Sequence, residues 1–225
     1  MNSLEMLAHI AKGLGPLKDK VVFVGGSTVS LYLSDPGAGT VRPTEDVNCV
    51  IQVLTRGQYY KLEGELEKLG FRHVTGENAP ICRWSYKGLT AVMPTEGTVL
   101  NFKNSWYPDG YEHSITVKLP RREDVRIFSL PYFLASKIEA FSDRGHGDFL
   151  TSPDMEDIIT VLDGSETASA EISSAPAKVK KHLAEKFSEF LRDERFLESL
   201  EGNLRSPAGT AGRVERIKSM LSSLS

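Results

Sequence analysis

At 225 residues the chain is long enough to bury a sizeable core in one or two domains. Its apolar share of 40% and charged share of 25% are those of an ordinary globular protein, and a net charge of −3 excludes a uniformly basic nucleic-acid binder, so any nucleic-acid surface must be local. No apolar stretch is long enough to span a bilayer, and the opening MNSLEMLAHIAKGL carries acidic and polar residues where a secretion signal is apolar, so a cytoplasmic protein with no membrane partner is expected.

Residues 3–17 have helical periodicity, with Leu4, Leu7, Ile10, Ala11 and Leu14 on one face and Ser3 placed to cap. After a turn at 18–20, the continuous apolar run 21–24 predicts a strand covered on both sides. Gly25 and Gly26 make a turn into a short helix over 27–33, and 35–39 is turn chemistry. A second buried strand is expected over 47–53. Thr55 caps a helix to 69 with Tyr59, Leu62, Leu66 and Leu69 inward and Gly70 as the stop. Runs 81–86 and 89–93 read as a hairpin turning at Lys87-Gly88, and 115–119 and 125–127 are further strand candidates. Cys49 and Cys82 lie in strand-like runs and read as small buried hydrophobes, not as a disulfide. From residue 129 the pattern turns helical, over 130–142, 154–162, 175–192 and 211–224, with connectors at 163–176 and 202–212. An α/β domain over 1–128 followed by a helical domain over 129–225 is therefore expected, with the space between them as the default site.

Four clusters carry candidate chemistry. Gly25, Gly26 and Ser27 form either a phosphate-cradling bend or a plain strand-to-helix turn with a capping serine; with no lysine in the turn it is not a P-loop. In Thr44-Glu45-Asp46-Val47-Asn48, positions 46 and 48 point to one face of a strand, where an acid can hold Mg²⁺ against a phosphate. The alternative there is a strand edge with solvated polar residues. Lys137, Glu139, Arg144, Asp148, Asp154, Glu156 and Asp157 crowd a helix–loop–helix. Lys137 and Arg144 suit phosphate neutralisation, Asp148 or Asp157 suits orienting those cations or acting as a base, and the bland reading is a solvated acidic helix start. Met93 to Glu96 and Asn101 to Tyr107 offer amide and aromatic groups that suit a base or ribose, or the rim of a core. The five histidines form no pair in sequence.

The elements VGGS at 24–27, RPTEDVN at 42–48, AVMPTEG at 91–97, NFKNSWY at 101–107 and PYFLASKIEAFSDRGHGDFLTSPDMEDI at 131–158, in that order and spacing, resemble nucleotidyltransferase-fold proteins of the AbiEii toxin group, relatives of the minimal nucleotidyltransferases. The resemblance runs from about residue 18 to about residue 163. It implies a small mixed sheet flanked by helices and followed by a helical C-terminal half, with an NTP and Mg²⁺ bound. It also implies transfer of a nucleotide to an RNA or protein hydroxyl, tRNA among the acceptors, and an antitoxin protein as partner. Carried over by position, Gly25, Gly26 and Ser27 hold phosphate, Asp46 is a metal-binding catalytic acid with Asn48 beside it, Lys137 and Arg144 meet the triphosphate, and Asp157 completes the second signature.

The sequence departs from that pattern twice. Asn48 stands where the second metal carboxylate is expected, and Ala91 where the third is. Losing two acids of three weakens two-metal chemistry, because charge developing in the transition state lacks its counter-ions. Glu45, Glu96 and Asp109 are the candidate substitutes. A catalytically degenerate nucleotide- or RNA-binding module, a rearranged metal site and a protein-interaction scaffold all remain as readings of this departure.

Overall fold

Asn2, one residue before the cap expected at Ser3, opens helix α1 (Ser3–Leu14) in the computed structural model. That structure describes residues 1–52, 55–75, 82–92, 104–120, 123–145, 147–204 and 210–224. The Asn2 side chain accepts from the Glu5 N–H while Glu5 reaches back to the Asn2 N–H, so two otherwise orphaned donors are satisfied. The helix stops at Gly15, whose φ of +52° favours glycine, and Pro16 then starts a 3₁₀ segment, Gly15–Lys20. The chain's contacts divide it into two compact units, Met1–Ser30 with Pro43–Ser129, and Leu31–Arg42 with Leu130–Ser225. The excursion of 31–42 into the second unit departs from the contiguous division expected from the sequence.

The first unit holds a seven-stranded mixed sheet: β1 (Val21–Val24), β2 (Asp46–Ile51), β3 (Arg72–His73), β4 (Arg83–Tyr86), β5 (Leu89–Val92), β6 (Ser114–Lys118) and β7 (Asp124–Phe128), in the order β3-β4-β5-β2-β1-β7-β6. The interior strand β1 runs antiparallel to β2 and parallel to β7, and β2, the middle strand, runs parallel to β5. All four β1 residues are buried, which is why the run is apolar without alternation. β4 and β5 form the expected hairpin, with both Lys87 and Gly88 at positive φ. Helix α2 (Arg56–Lys68) starts on a Thr55–Gln58 capping box, and α3 (Tyr107–Glu112) is a short helix that the sequence pattern does not disclose.

Strand alternation divides the sheet into two faces. Val47, Ala91 and Trp84 occupy paired positions on one and are fully buried. Helix α1 packs against β2 and β5 on that face, where Tyr86 lies over Gly13 and tilts against His9 at 5.4 Å. The other face carries Val24, Asn48, Asp46, Thr90 and Ser85 in successive pairings. Both cysteines are free and buried; burial pushes the Cys49 thiol up to about 12.

The second unit is helical: α4 (Leu130–Arg144), α5 (Pro153–Gly164), α6 (Ala168–Ser173), α7 (Ala177–Phe190), α8 (Glu194–Asn203) and α9 (Thr210–Ser222). Helix α4 packs on α5 and α7, and α9 packs on α7 and α8. Phe141, Phe149, Phe190 and Phe196 interlock, with Phe149 edge-on to Phe190 at 5.3 Å. The 31–42 excursion is tied in at several points. The Ser34 and Asp35 N–H groups donate to the Gly164 carbonyl at 2.8 and 3.0 Å, and Tyr32 tilts against Phe133 at 4.7 Å. A side chain on Gly164 would sit 2.6 Å from Leu33 Cδ2, so the close approach needs that glycine. Among the described residues, no helix is long and apolar enough to cross a membrane.

Candidate functional site

The bend after β1 is built by Gly25, whose φ of +77° is strained for any side chain. Its carbonyl accepts from the Thr28 N–H at 3.1 Å and the Thr28 hydroxyl at 2.8 Å, which closes the turn. The chain then enters a 3₁₀ segment, Gly26–Leu31, not the α-helix expected over 27–33. Six residues of 3₁₀ give the bend little of the axial dipole expected of a helix start. Gly25 is half-buried, whereas Gly26 and Ser27 are buried. The Ser27 hydroxyl has no hydrogen-bond partner among the described residues. A bound water or a ligand oxygen would satisfy it, and the same holds for the neighbouring Ser30 hydroxyl.

The register of β1 on β2 sets Val24 opposite Asn48, so the bend and the strand meet. Asn48 lies directly over Gly25: its Nδ2 is 3.3 Å, and its Cβ 3.6 Å, from where a Gly25 side chain would begin. The same Nδ2 donates to Asp46 Oδ1 at 3.2 Å. Reversing the amide would set two oxygens against each other, so the nitrogen faces the carboxylate. Thr44 braces the strand start by donating to the Asp46 carbonyl at 3.3 Å. Asp46 and Asn48 are both half-buried.

Magnesium fits this donor set poorly. It prefers carboxylates and water in an octahedron, and among the described residues this face offers one carboxylate, whose Oδ1 already accepts from an amide. Ala91, the expected place of a third acid, pairs with Val47 and with Trp84 on the opposite face. Thr90 is the β5 residue that pairs with Asp46. Among the described residues, no three His, Cys, Asp or Glu side chains come together as a metal-holding group. Of the candidate substitutes, Glu45 is exposed and Asp109 lies in the first turn of α3. Glu96, with the rest of 93–97 and 101–103, lies outside the described residues.

The charged cluster of the second unit forms a continuous ionic chain. Lys137 on α4 is 5% exposed and donates to Asp154 Oδ1 at 2.9 Å and Asp157 Oδ2 at 2.5 Å. Arg144, two turns further along α4, grips Asp154 through Nε and Nη2 at 2.8 and 2.9 Å. Arg42, from the 31–42 excursion, grips Asp157 in the same two-pronged way at 2.8 and 3.0 Å. Burial pushes the Asp154 carboxyl up, but Arg144 and Lys137 outweigh it and hold the group down at about 2. The cations expected to meet a triphosphate are thus committed to buried carboxylates, and Asp157 orients Lys137. Asp148 accepts from the Leu150 and Thr151 N–H groups and the Thr151 hydroxyl, closing its own loop.

A third buried carboxylate, Asp163, accepts from Arg213 and Arg216, and Arg213 also reaches Asp35 at 2.7 Å. Neither this group nor the role of Arg42 emerges from the sequence. Arg42 and Asp157 are 115 positions apart and Asp163 and Arg213 fifty. No protein-family model matches the chain, and comparison with curated proteins returns no similar sequence.

Proposed function

We propose that this protein is a nucleotide-binding module of nucleotidyltransferase-like architecture, in which the Gly25 bend and the Asp46–Asn48 strand face receive the phosphates. The supporting observation is the direct stacking of the Asn48 amide on Gly25 beside the Asp46 carboxylate. A bend that only glycine tolerates, a donor amide above it and a buried hydroxyl without a partner suit a phosphate better than a plain strand ending does. Among the described residues, the face also lacks the acids that turnover by paired metal ions requires.

Titration of the four fluorescently labelled NTPs against the full chain tests the reading. Saturable binding is expected for at least one of them. It should weaken at least tenfold in Gly25→Val, where the positive φ strains a branched residue and its Cβ presses on Asn48 at 3.3 Å, while the melting curve still shows a folded protein. Absence of binding for every nucleotide would leave the interaction-scaffold reading in its place. Nucleotide transfer to an RNA or protein hydroxyl is the second reading, favoured by the one carboxylate that Asp46 keeps on this face. α-Labelled NTP appearing on tRNA, other RNA or protein from a lysate would put it first, and an antitoxin partner would then be sought.

A further inference from the structure

We infer that Asn48 serves Asp46 as an internal substitute for a divalent cation, so that the site accepts nucleotide phosphate without metal. The inference rests on the nucleotide-binding reading above and sharpens it.

Two carboxylates at 46 and 48 would place like charges side by side on one strand face. A phosphate could join them only with a cation in between. Asparagine changes this in two ways. It removes one of the two negative charges, and it turns an N–H donor onto the other, at 3.2 Å from Asp46 Oδ1. The amide nitrogen occupies the ground between the carboxylate and the Gly25 bend, 3.3 Å from the Cβ position that glycine leaves empty. An amide nitrogen carries two hydrogens. One engages Asp46, and the second can serve a phosphate oxygen. Gly25 is part of the same device, because a side chain there would push the amide off the carboxylate.

Fluorescent NTP titrations of wild type and Asn48→Asp, each in excess EDTA and in millimolar Mg²⁺, test the idea, with Mg²⁺-only thermal melts as a second measurement that needs no nucleotide. Wild type should bind equally, within about twofold, in both buffers, and Mg²⁺ alone should not shift its melting temperature. Asn48→Asp should bind at least tenfold more weakly in EDTA, recover in Mg²⁺, and gain a Mg²⁺-dependent melting shift. Wild-type binding that EDTA abolishes would overturn the inference and leave the nucleotide reading standing. Failure to bind in both buffers would overturn both.

Discussion

Asp46 and Asn48 are two residues apart in sequence and share a strand face, a relation visible from alternation alone. The contact of Asn48 with the glycine bend was foreseeable too, because an apolar strand, a diglycine and a second strand in short order leave few ways to pair. Which residue of β5 joins them was not foreseeable. A shift of one residue in strand register turns every side chain to the opposite face, and nothing in Leu89 to Val92 fixes that register from sequence. The structure sets Thr90, not Ala91, opposite Asp46. The double variant Asn48→Asp/Thr90→Asp should therefore bind Mn²⁺ more tightly by calorimetry than Asn48→Asp alone. Asn48→Asp/Ala91→Asp should bind it no more tightly than Asn48→Asp, and it should unfold several kcal/mol more easily in denaturant, because a carboxylate at 91 is buried beside Val47 and Trp84. A gain in metal affinity from the acid at 91 and none from the acid at 90 would show that the strand is set the other way.

Helices α4 and α5 show the same division between what periodicity reveals and what only packing reveals. Lys137 and Arg144 are seven apart, and Asp154 and Asp157 are three apart, so each pair lies along one stripe of its own helix. Ser152 as the cap and Pro153 in the first turn mark the start of α5. That the two stripes face each other, with Lys137, Asp154 and Asp157 buried between them, follows only from the fold. Short elements are harder to read: β3 has two residues, α3 and α6 six each, and α8 begins beyond 192, where no helix was expected. Elements of that length are held by tertiary contacts more than by their own propensity. The ionic chain makes a definite prediction for α4. Lys137→Met removes the cation shared by two carboxylates that are 1% exposed. It should cost about 3–5 kcal/mol in chemical denaturation, as expected when one member of a buried ion pair is lost. A change below about 1 kcal/mol would mean that Arg42 and Arg144 suffice alone.

At the scale of the whole molecule, the composition and the shift in texture near 129 disclosed a sheet-bearing half and a helical half, but not the return of 31–42 to the helices. That segment has the look of a polar surface loop, and its anchors, Asp157, Gly164 and Arg213, lie more than a hundred residues away. Acid should expose the dependence on these charges. Asp154 titrates near 2 in the folded protein against an ordinary 3.8, so the folded state binds its proton less readily than the unfolded chain does. The stabilisation is complete above about pH 4, amounts to roughly 2 kcal/mol, and drains away as pH falls toward 2. Denaturation midpoints measured across that range should fall more steeply for wild type than for Asp154→Asn; parallel curves would contradict it. The excursion also bears on how the protein can be dissected. Since the chain crosses from one unit to the other after residues 30, 42 and 129, a single scission at 129 separates α4 and α5 from the tether that supplies Tyr32 and Arg42. The helical half is thus an interrupted folding unit, whose N-terminal piece emerges from the ribosome about ninety residues before the helices that complete it.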